Sequence, residues 1–172
     1  MQNRTNIVLI GMPGCGKSTL GKRLAKVRGM NYVDTDSLLE QSERMPLQRI
    51  VTLRGIFYLR ELESTILSKL NLKNTVIATG GSAVYSSAAM RHLATDAVLV
   101  YLRISLLTLV KRVTNVSSRG LAKMKSHSLP RLYNERADLY QQAADIVMPN
   151  DRPISALSLD DLNQQINDCF DV

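Results

Sequence analysis

Short apolar runs alternate along this chain with longer segments in which apolar residues recur every three to four positions. Five runs are strand-like and lie at residues 6–10, 31–33, 75–79, 97–102 and about 144–148. The longer segments between them have the period of amphipathic helices. Strands that alternate with helices usually form a parallel sheet that is covered on both faces. The pattern therefore predicts an α/β fold built on a parallel sheet.

A glycine-rich segment joins the first strand to the first helix. Residues 11–18 read Gly-Met-Pro-Gly-Cys-Gly-Lys-Ser, the spacing of a phosphate-binding P-loop. Its glycines permit successive backbone N–H groups to curl around a phosphate, Lys17 reaches the outer phosphates, and the Ser18 hydroxyl suits Mg²⁺. A simple turn between strand and helix is the alternative, but a turn does not require a Lys-Ser pair. We therefore expect the chain to bind a nucleoside triphosphate.

Two further polar segments follow the second and third strands. In parallel sheets ligands bind beyond the carboxyl ends of the strands, so Asp34-Thr35-Asp36 and Thr79-Gly80-Gly81 should share one crevice with the P-loop. If the backbone is extended at Asp34 and Asp36, both carboxylates face the same side, and one can serve a metal while the other meets a substrate hydroxyl. The alternative is that Asp36 caps a helix beginning near Ser37. The glycine pair predicts a close approach of the backbone or a loose turn.

The middle and the later parts of the chain contain weaker signals. Residues 46–70 have a helical pattern in which Arg60 and Glu63 lie three apart and can touch, although such a pair alone is usually a solvated bridge. Residues 114–128 have no clear period, which is typical of a lid or of a plain surface loop. These features carry little functional weight by themselves.

Composition limits the classes of function. With 172 residues and 45% hydrophobic residues, the chain fits one globular domain, residues 1–172. Its net charge of +7 invites a nucleic-acid hypothesis, but the basic residues are dispersed and aromatic residues make up only 5% of the chain. A basic balance also suits small anionic ligands. Because neither a targeting signal nor a long apolar stretch is visible, we expect a cytoplasmic protein that contacts neither nucleic acid nor membrane.

Taken in order along the chain, these segments resemble shikimate kinase over nearly the whole length. The resemblance rests on the P-loop, on the Asp34-Thr35-Asp36 and Ala78-Thr79-Gly80-Gly81 segments, and on Arg60-x-x-Glu63 and Glu135-Arg136-x-x-Leu139-Tyr140. It implies a three-layer P-loop fold like that of the nucleoside monophosphate kinases, with a five-stranded parallel sheet. It also implies a substrate-binding helical region at about residues 34–63 and a mobile lid at about 114–128.

The resemblance further implies a role for individual residues in transfer of the γ-phosphoryl group of ATP to the 3-hydroxyl of shikimate. The implied substrate contacts are Asp36, Arg60, Gly80, Gly81 and Arg136, with Glu63 orienting Arg60. The implied Mg²⁺ ligands are Ser18 and Asp34. The implied ATP contacts are Gly14, Cys15, Gly16, Lys17, Ser18, Thr19, Arg119 in the lid, and Arg152 in the turn at residues 150–153. Lys17, Asp36 and Arg119 would be the catalytic residues, with Asp36 as the base.

Three positions depart from the pattern of the family. Ser82 replaces the usual third glycine, the lid reads Arg119-Gly120-Leu121-Ala122, and Asp138 brings a carboxylate close to Arg136 in sequence. Two alternatives therefore remain open: a kinase for another hydroxy acid such as gluconate, and a nucleotide-binding module without catalysis. For either kinase we expect a monomer.

Overall fold

The computed structural model describes residues 4–114, 128–151 and 159–170. These residues form five strands, seven α-helices and one short 3₁₀ helix. The strands are β1 (Asn6–Ile10), β2 (Asn31–Asp34), β3 (Thr75–Ala78), β4 (Ala97–Arg103) and β5 (Ile146–Pro149). The helices are α1 (Lys17–Arg28), α2 (Thr35–Glu43), α3 (Leu47–Leu67), the 3₁₀ helix (Ala83–Tyr85), α4 (Ser87–Ala94), α5 (Leu106–Thr114), α6 (Ser128–Ala143) and α7 (Leu159–Phe170).

All five strands lie in one parallel sheet in the order β2-β3-β1-β4-β5. Every residue of β1 and β3 is buried, as expected for central strands with helices on both faces. The predicted α/β fold with a five-stranded parallel sheet is therefore confirmed. Because β1 lies between β3 and β4, the P-loop that follows it lies at the centre of the edge where ligands of such sheets bind.

Helix α1 begins and ends at glycine residues. It starts directly after Gly16 and stops before Gly29, whose φ of 63° ends the helix in the left-handed conformation. Leu20 and Leu24 are fully buried, whereas Val27, in the last turn, is 59% exposed.

Helix α3 is interrupted at Gly55, whose φ of 83° and ψ of 167° lie outside the helical region. After this kink, Glu63 and Leu67 are buried, whereas Leu59, Leu62 and Ile66 are only partly buried. The buried side of α3 therefore includes a carboxylate that faces the crevice. No helix within the described ranges is long and apolar enough to span a membrane.

Candidate active site

The P-loop wraps the start of α1 in the conformation that its glycines predict. Gly11, Gly14 and Gly16 have φ values of 144°, 81° and 102°, a region that residues with a Cβ rarely adopt. The loop ends at the N-terminus of α1, where unpaired backbone N–H groups and the helix dipole favour an anion. These features make the loop suitable for binding a phosphate group.

Lys17 lies against the inner side of this loop. Its side chain is nearly buried, and its ammonium group donates hydrogen bonds to the carbonyl oxygens of Gly11 at 2.8 Å and Met12 at 3.0 Å. The loop thus holds the positive charge of Lys17 beside the phosphate-binding backbone. Gly14 and Thr19 are exposed and Cys15 is buried within the loop.

Ser18 and Asp34 meet directly at the ends of α1 and β2. The Ser18 hydroxyl donates to Asp34 Oδ2 at 2.8 Å, and the Tyr32 hydroxyl donates to the same oxygen at 3.2 Å. Asp34 Oδ1 accepts from the backbone N–H of Asp36 at 3.2 Å and caps α2. The structure therefore places together the two residues predicted to hold Mg²⁺.

The capping residue differs from the one that the sequence suggested. Helix α2 begins at Thr35, so Asp34 is its cap and Asp36 lies inside its first turn. Asp34 is extended but Asp36 is helical, so the condition under which both carboxylates would face the same side of a strand is not met. Asp36 reaches the crevice from a helix, and its carboxylate lies beside Gly80.

Gly80 and Gly81 bring the backbone after β3 into close contact with the P-loop and with helices α2, α3 and α6. A Cβ at Gly80 would collide with Glu63 Oε1 and would lie 2.9 Å from Asp36 Oδ1. A Cβ at Gly81 would lie 2.6 Å from two ring carbons of Pro13 and 3.1 Å from Arg136 Nη1. The prediction of a close approach is confirmed, and the loose turn is excluded. The same two glycines connect the P-loop to the side chains predicted to bind the acceptor.

Glu63 is a buried carboxylate with one hydrogen bond. Its Oε2 accepts from the Ser82 hydroxyl, and its Oε1 is buried with no hydrogen-bond partner among the described residues. Burial raises the pKa of Glu63 to about 7, the neighbouring Asp36 contributes to the rise, and the hydrogen bond from Ser82 opposes both effects. Ser82, the residue that departs from the pattern of the family, is therefore what Glu63 contacts.

The predicted contact between Glu63 and Arg60 is not formed. Among the described residues Arg60 makes no ion pair, and its Nε is buried without a hydrogen-bond partner. Its guanidinium instead lies over the ring of Tyr85, with Cζ 4.2 Å from the ring centroid. The three-residue spacing allowed Arg60 and Glu63 to meet, but Glu63 contacts Ser82 and Arg60 contacts Tyr85.

Arg136 reaches the same tyrosine from α6. Its side chain is nearly buried, its Cζ lies 5.0 Å from the Tyr85 ring centroid, and its Nε donates to the Tyr85 hydroxyl at 3.1 Å. Tyr85 in turn donates to Glu135 at 2.7 Å. Asp138 is exposed and forms no ion pair with Arg136. The structure thus brings the two predicted carboxylate-binding arginines onto one ring.

A cleft of about 570 Å³ opens beside these residues. Its walls include Arg60, Glu63, Ser82 and Tyr85. Sequence reasoning missed Tyr85, because a lone tyrosine in a short helix carries no motif. No sequence signal could have found it, because Arg60 and Arg136 lie far from Tyr85 along the chain and meet its ring only in the fold.

Sequence reasoning also missed a group of hydrogen bonds that joins the P-loop to α5 and to the residue after β5. Arg112 donates from Nη1 to the carbonyl of Cys15 at 3.2 Å and from Nη2 to the carbonyl of Asn150 at 2.8 Å. The Asn150 side chain donates to the same Cys15 carbonyl at 2.5 Å. These bonds attach the P-loop to the ends of α5 and β5, where the sequence predicted only a turn.

Two of the predicted ATP contacts, Arg119 and Arg152, lie outside the described residues, as do residues 115–127 of the predicted lid.

The fold and this site define a class. A P-loop at the centre of a five-stranded parallel sheet, with a cationic cleft beside it, is the arrangement of a P-loop kinase for a small anionic acceptor.

Comparison with known proteins narrows the class to a family. The shikimate kinase family model matches residues 13–167. A shikimate kinase of Clostridium botulinum (strain Okra / Type B1) is 37% identical over 146 residues, which are 83% of this chain and 86% of that protein. The structure of a shikimate kinase from Acinetobacter baumannii in complex with shikimate superposes with a TM-score of 0.85 at 26% identity, covering 98% of this chain and 93% of that one. The chain belongs to the shikimate kinase family, whose members are ATP-dependent kinases acting on an alcohol acceptor.

A gluconokinase from Sinorhizobium meliloti is also similar in structure, with a TM-score of 0.56 at 16% identity, covering 97% of this chain and 92% of that one. This likeness concerns the fold alone. It therefore gives no support to gluconate as the acceptor.

Proposed function

We propose that this chain transfers the γ-phosphoryl group of ATP to the 3-hydroxyl of shikimate, giving shikimate 3-phosphate and ADP. One observation carries the proposal: Pro13 of the P-loop and the guanidinium of Arg136 both pack against Gly81. This packing brings the phosphate-binding loop next to a group that suits the carboxylate of the acceptor. A phosphate donor bound at the loop and an acceptor bound at Arg136 would therefore lie close together.

Recognition of the acceptor rests on its carboxylate and its ring hydroxyls. The guanidinium groups of Arg60 and Arg136 both line the region around Tyr85. Two planar guanidinium groups favour a carboxylate over a neutral group. Asp36, beside Gly80, would accept hydrogen bonds from ring hydroxyls. This combination of charges supports a polyhydroxy acid as substrate.

The chemistry required of the protein is mainly positioning and charge neutralisation, because the transition state of phosphoryl transfer is loose. Lys17 would neutralise charge on the transferred group, and Arg119 would add to it. Asp36 would orient the acceptor hydroxyl and accept its proton late in the transfer. The contacts to ATP would be completed by Gly14, Cys15, Gly16, Ser18, Thr19 and Arg152.

Ser18 and Asp34 are the residues that would hold Mg²⁺. They supply a hydroxyl and a carboxylate oxygen 2.8 Å apart, which are the hard oxygen ligands that Mg²⁺ prefers. The described residues contain no group of three or more His, Cys, Asp or Glu side chains that could form a metal cage. The fit is therefore to an ion that shares its coordination with phosphates and water. When bound, Mg²⁺ would neutralise charge on the phosphate oxygens of ATP.

Our proposals for the domain organisation, oligomeric state, location and ligands follow from the sequence and from the family. We propose that residues 1–172 act as one monomeric, cytoplasmic kinase domain, with a substrate-binding region at about 34–63 and a lid at about 114–128. Its ligands would be small molecules, and it would contact neither nucleic acid nor membrane.

A coupled assay of ADP release tests the proposal. The protein is supplied with Mg²⁺ and ATP and then with shikimate, with gluconate or with no acceptor. We expect release of ADP that depends on shikimate, with gluconate close to the background. ATP binding without stimulation by shikimate, or stimulation by gluconate alone, would contradict the proposed acceptor.

A further inference from the structure

Arg60 does not form the contact with Glu63 that the sequence suggested, so another residue must order its side chain. Glu63 accepts the Ser82 hydroxyl, and the Nε of Arg60 is buried without a hydrogen-bond partner among the described residues. A long, flexible arginine without a fixed neighbour loses side-chain entropy when a ligand orders it. The contact that orders the Arg60 guanidinium in this structure is the Tyr85 ring, 4.2 Å from Cζ.

The same ring also orders the second arginine. Arg136 Cζ lies 5.0 Å from the ring centroid, and its Nε donates to the Tyr85 hydroxyl. The Tyr85 hydroxyl donates its proton to Glu135, so it accepts the hydrogen bond from Arg136 through a lone pair. Like charges repel, and attraction to the same aromatic ring offsets repulsion between the two guanidinium groups. Tyr85 thus contacts both cations through its ring and one of them through its hydroxyl.

The placement of Tyr85 in the fold explains how it can serve both residues. It ends the 3₁₀ helix Ala83–Tyr85, against which α3 and α6 both pack. Helix α3 carries Arg60 and helix α6 carries Arg136. A residue at this point therefore determines the separation of two groups that come from opposite parts of the chain.

We propose that Tyr85 is a positioning residue whose ring and hydroxyl hold Arg60 and Arg136 at the spacing that grips the carboxylate of the acceptor. This inference rests on the proposed function, because it assigns that carboxylate to shikimate. Tyr85 acts through the arginines and takes no part in the phosphoryl transfer itself. Its replacement should therefore weaken acceptor binding much more than turnover.

Tyr85→Leu tests the ring, and Tyr85→Phe tests the hydroxyl. For Tyr85→Leu we expect the KM for shikimate to rise about tenfold, a factor between the two- to fivefold of an exposed cation–π contact and the roughly 30-fold of a desolvated one. The kcat should stay within about threefold, and the KM for ATP should not change. For Tyr85→Phe, which retains the ring, we expect a rise in the KM for shikimate of about two- to fivefold.

An analogue in which a hydroxymethyl group replaces the carboxylate of shikimate separates positioning from general damage. The Kd of the acid should rise in Tyr85→Leu while the Kd of the neutral analogue stays the same, so the preference for the acid falls about tenfold. A merely structural role for Tyr85 would weaken both ligands or lower kcat.

The chain contains a matched control for this experiment. Phe170 lies on α7 with Arg28 Cζ 5.4 Å from its ring centroid. Phe170→Leu thus removes the same kind of contact from an arginine outside the site and outside the proposed substrate-binding region, and we expect every kinetic constant to be unchanged.

The possible results separate the two hypotheses. A wild-type protein that releases no ADP with shikimate refutes the proposed function, and this inference with it. If the wild type is active, an unchanged preference for the acid in a folded Tyr85→Leu variant overturns the inference alone. If Tyr85→Leu does not fold, an unchanged KM for shikimate in Tyr85→Phe overturns the assignment of the hydroxyl to Arg136 and with it the inference.

Discussion

Replacement of Glu63 by glutamine should remove a pH dependence of stability. The side chain is 3% exposed, and burial raises its pKa from an ordinary value of 4.5 to about 7. Between these two pH values the folded protein keeps a proton that the unfolded chain releases. The stabilisation is therefore fully present below pH 4.5 and is lost as the pH rises through 7. The glutamine side chain of the variant cannot titrate, so this contribution disappears.

The magnitude follows from the difference between the two pKa values. Each pKa unit corresponds to about 1.36 kcal/mol, so the free energy of unfolding of the wild type should fall by about 2 to 3 kcal/mol relative to the variant between about pH 5 and pH 8. For a chain of this size, that difference corresponds to a relative shift in Tm of about 5 to 10 °C. Most of this change should occur between about pH 5 and pH 7.

Urea denaturation at a series of pH values measures the effect. The free energies of unfolding of the wild type and of Glu63→Gln are compared at each pH from about 5 to 8, so that all other titrating groups cancel. Glu61→Gln is the matched control, because Glu61 is exposed on the same helix and its replacement should leave the pH dependence of the wild type intact. If the free energies of unfolding of the wild type and of Glu63→Gln change with pH in parallel, the claim that burial raises the pKa of Glu63 is refuted.

Three other substitutions test the site. Lys17→Ala should lose at least about 100-fold in kcat with every acceptor, because it removes a charge from the transferred phosphoryl group; normal turnover in the coupled assay would exclude this role. Arg136→Ala should raise the KM for shikimate about ten- to hundredfold, the loss of a charged hydrogen bond, while the KM for ATP is unaffected; an unchanged KM for shikimate would remove Arg136 from the site. Gly81→Ala should cost about 1 to 3 kcal/mol of stability, because its Cβ would lie 2.6 Å from Pro13; urea denaturation that matches the wild type would contradict this packing.

Local features of the chain were predictable because local physics determines them. The P-loop glycines adopt positive φ values wherever such a loop forms, and Gly29 ends α1 for the same reason. The alternation of apolar runs and helical periods likewise indicates burial within a single element. For that reason the strands, the helix predicted at residues 46–70 and the phosphate-binding loop lie close to the predicted positions, with errors of about one to three residues at their ends.

Proximity in sequence was a poor guide to side-chain contacts where the fold brought other partners closer. Arg60 and Glu63 are three residues apart on one helix, yet Glu63 contacts Ser82, and Arg60 lies over Tyr85. Similarly, an aspartate caps α2 as the sequence suggested, but the helix begins earlier than expected, and the cap is Asp34. Sequence spacing shows which contacts are possible and does not rank them.

Local patterns in the sequence were enough to predict the fold class, the P-loop and the crevice at the ends of the strands, and to propose the residues of the site. Three features become visible only in the folded chain: the ring that two distant arginines share, the hydrogen bonds from Arg112 to the P-loop, and the burial of Glu63. The physical reason is the range of the interactions involved. Backbone conformation and periodic burial depend on adjacent residues, whereas partners and pKa values depend on side chains that the fold brings together from distant parts of the chain.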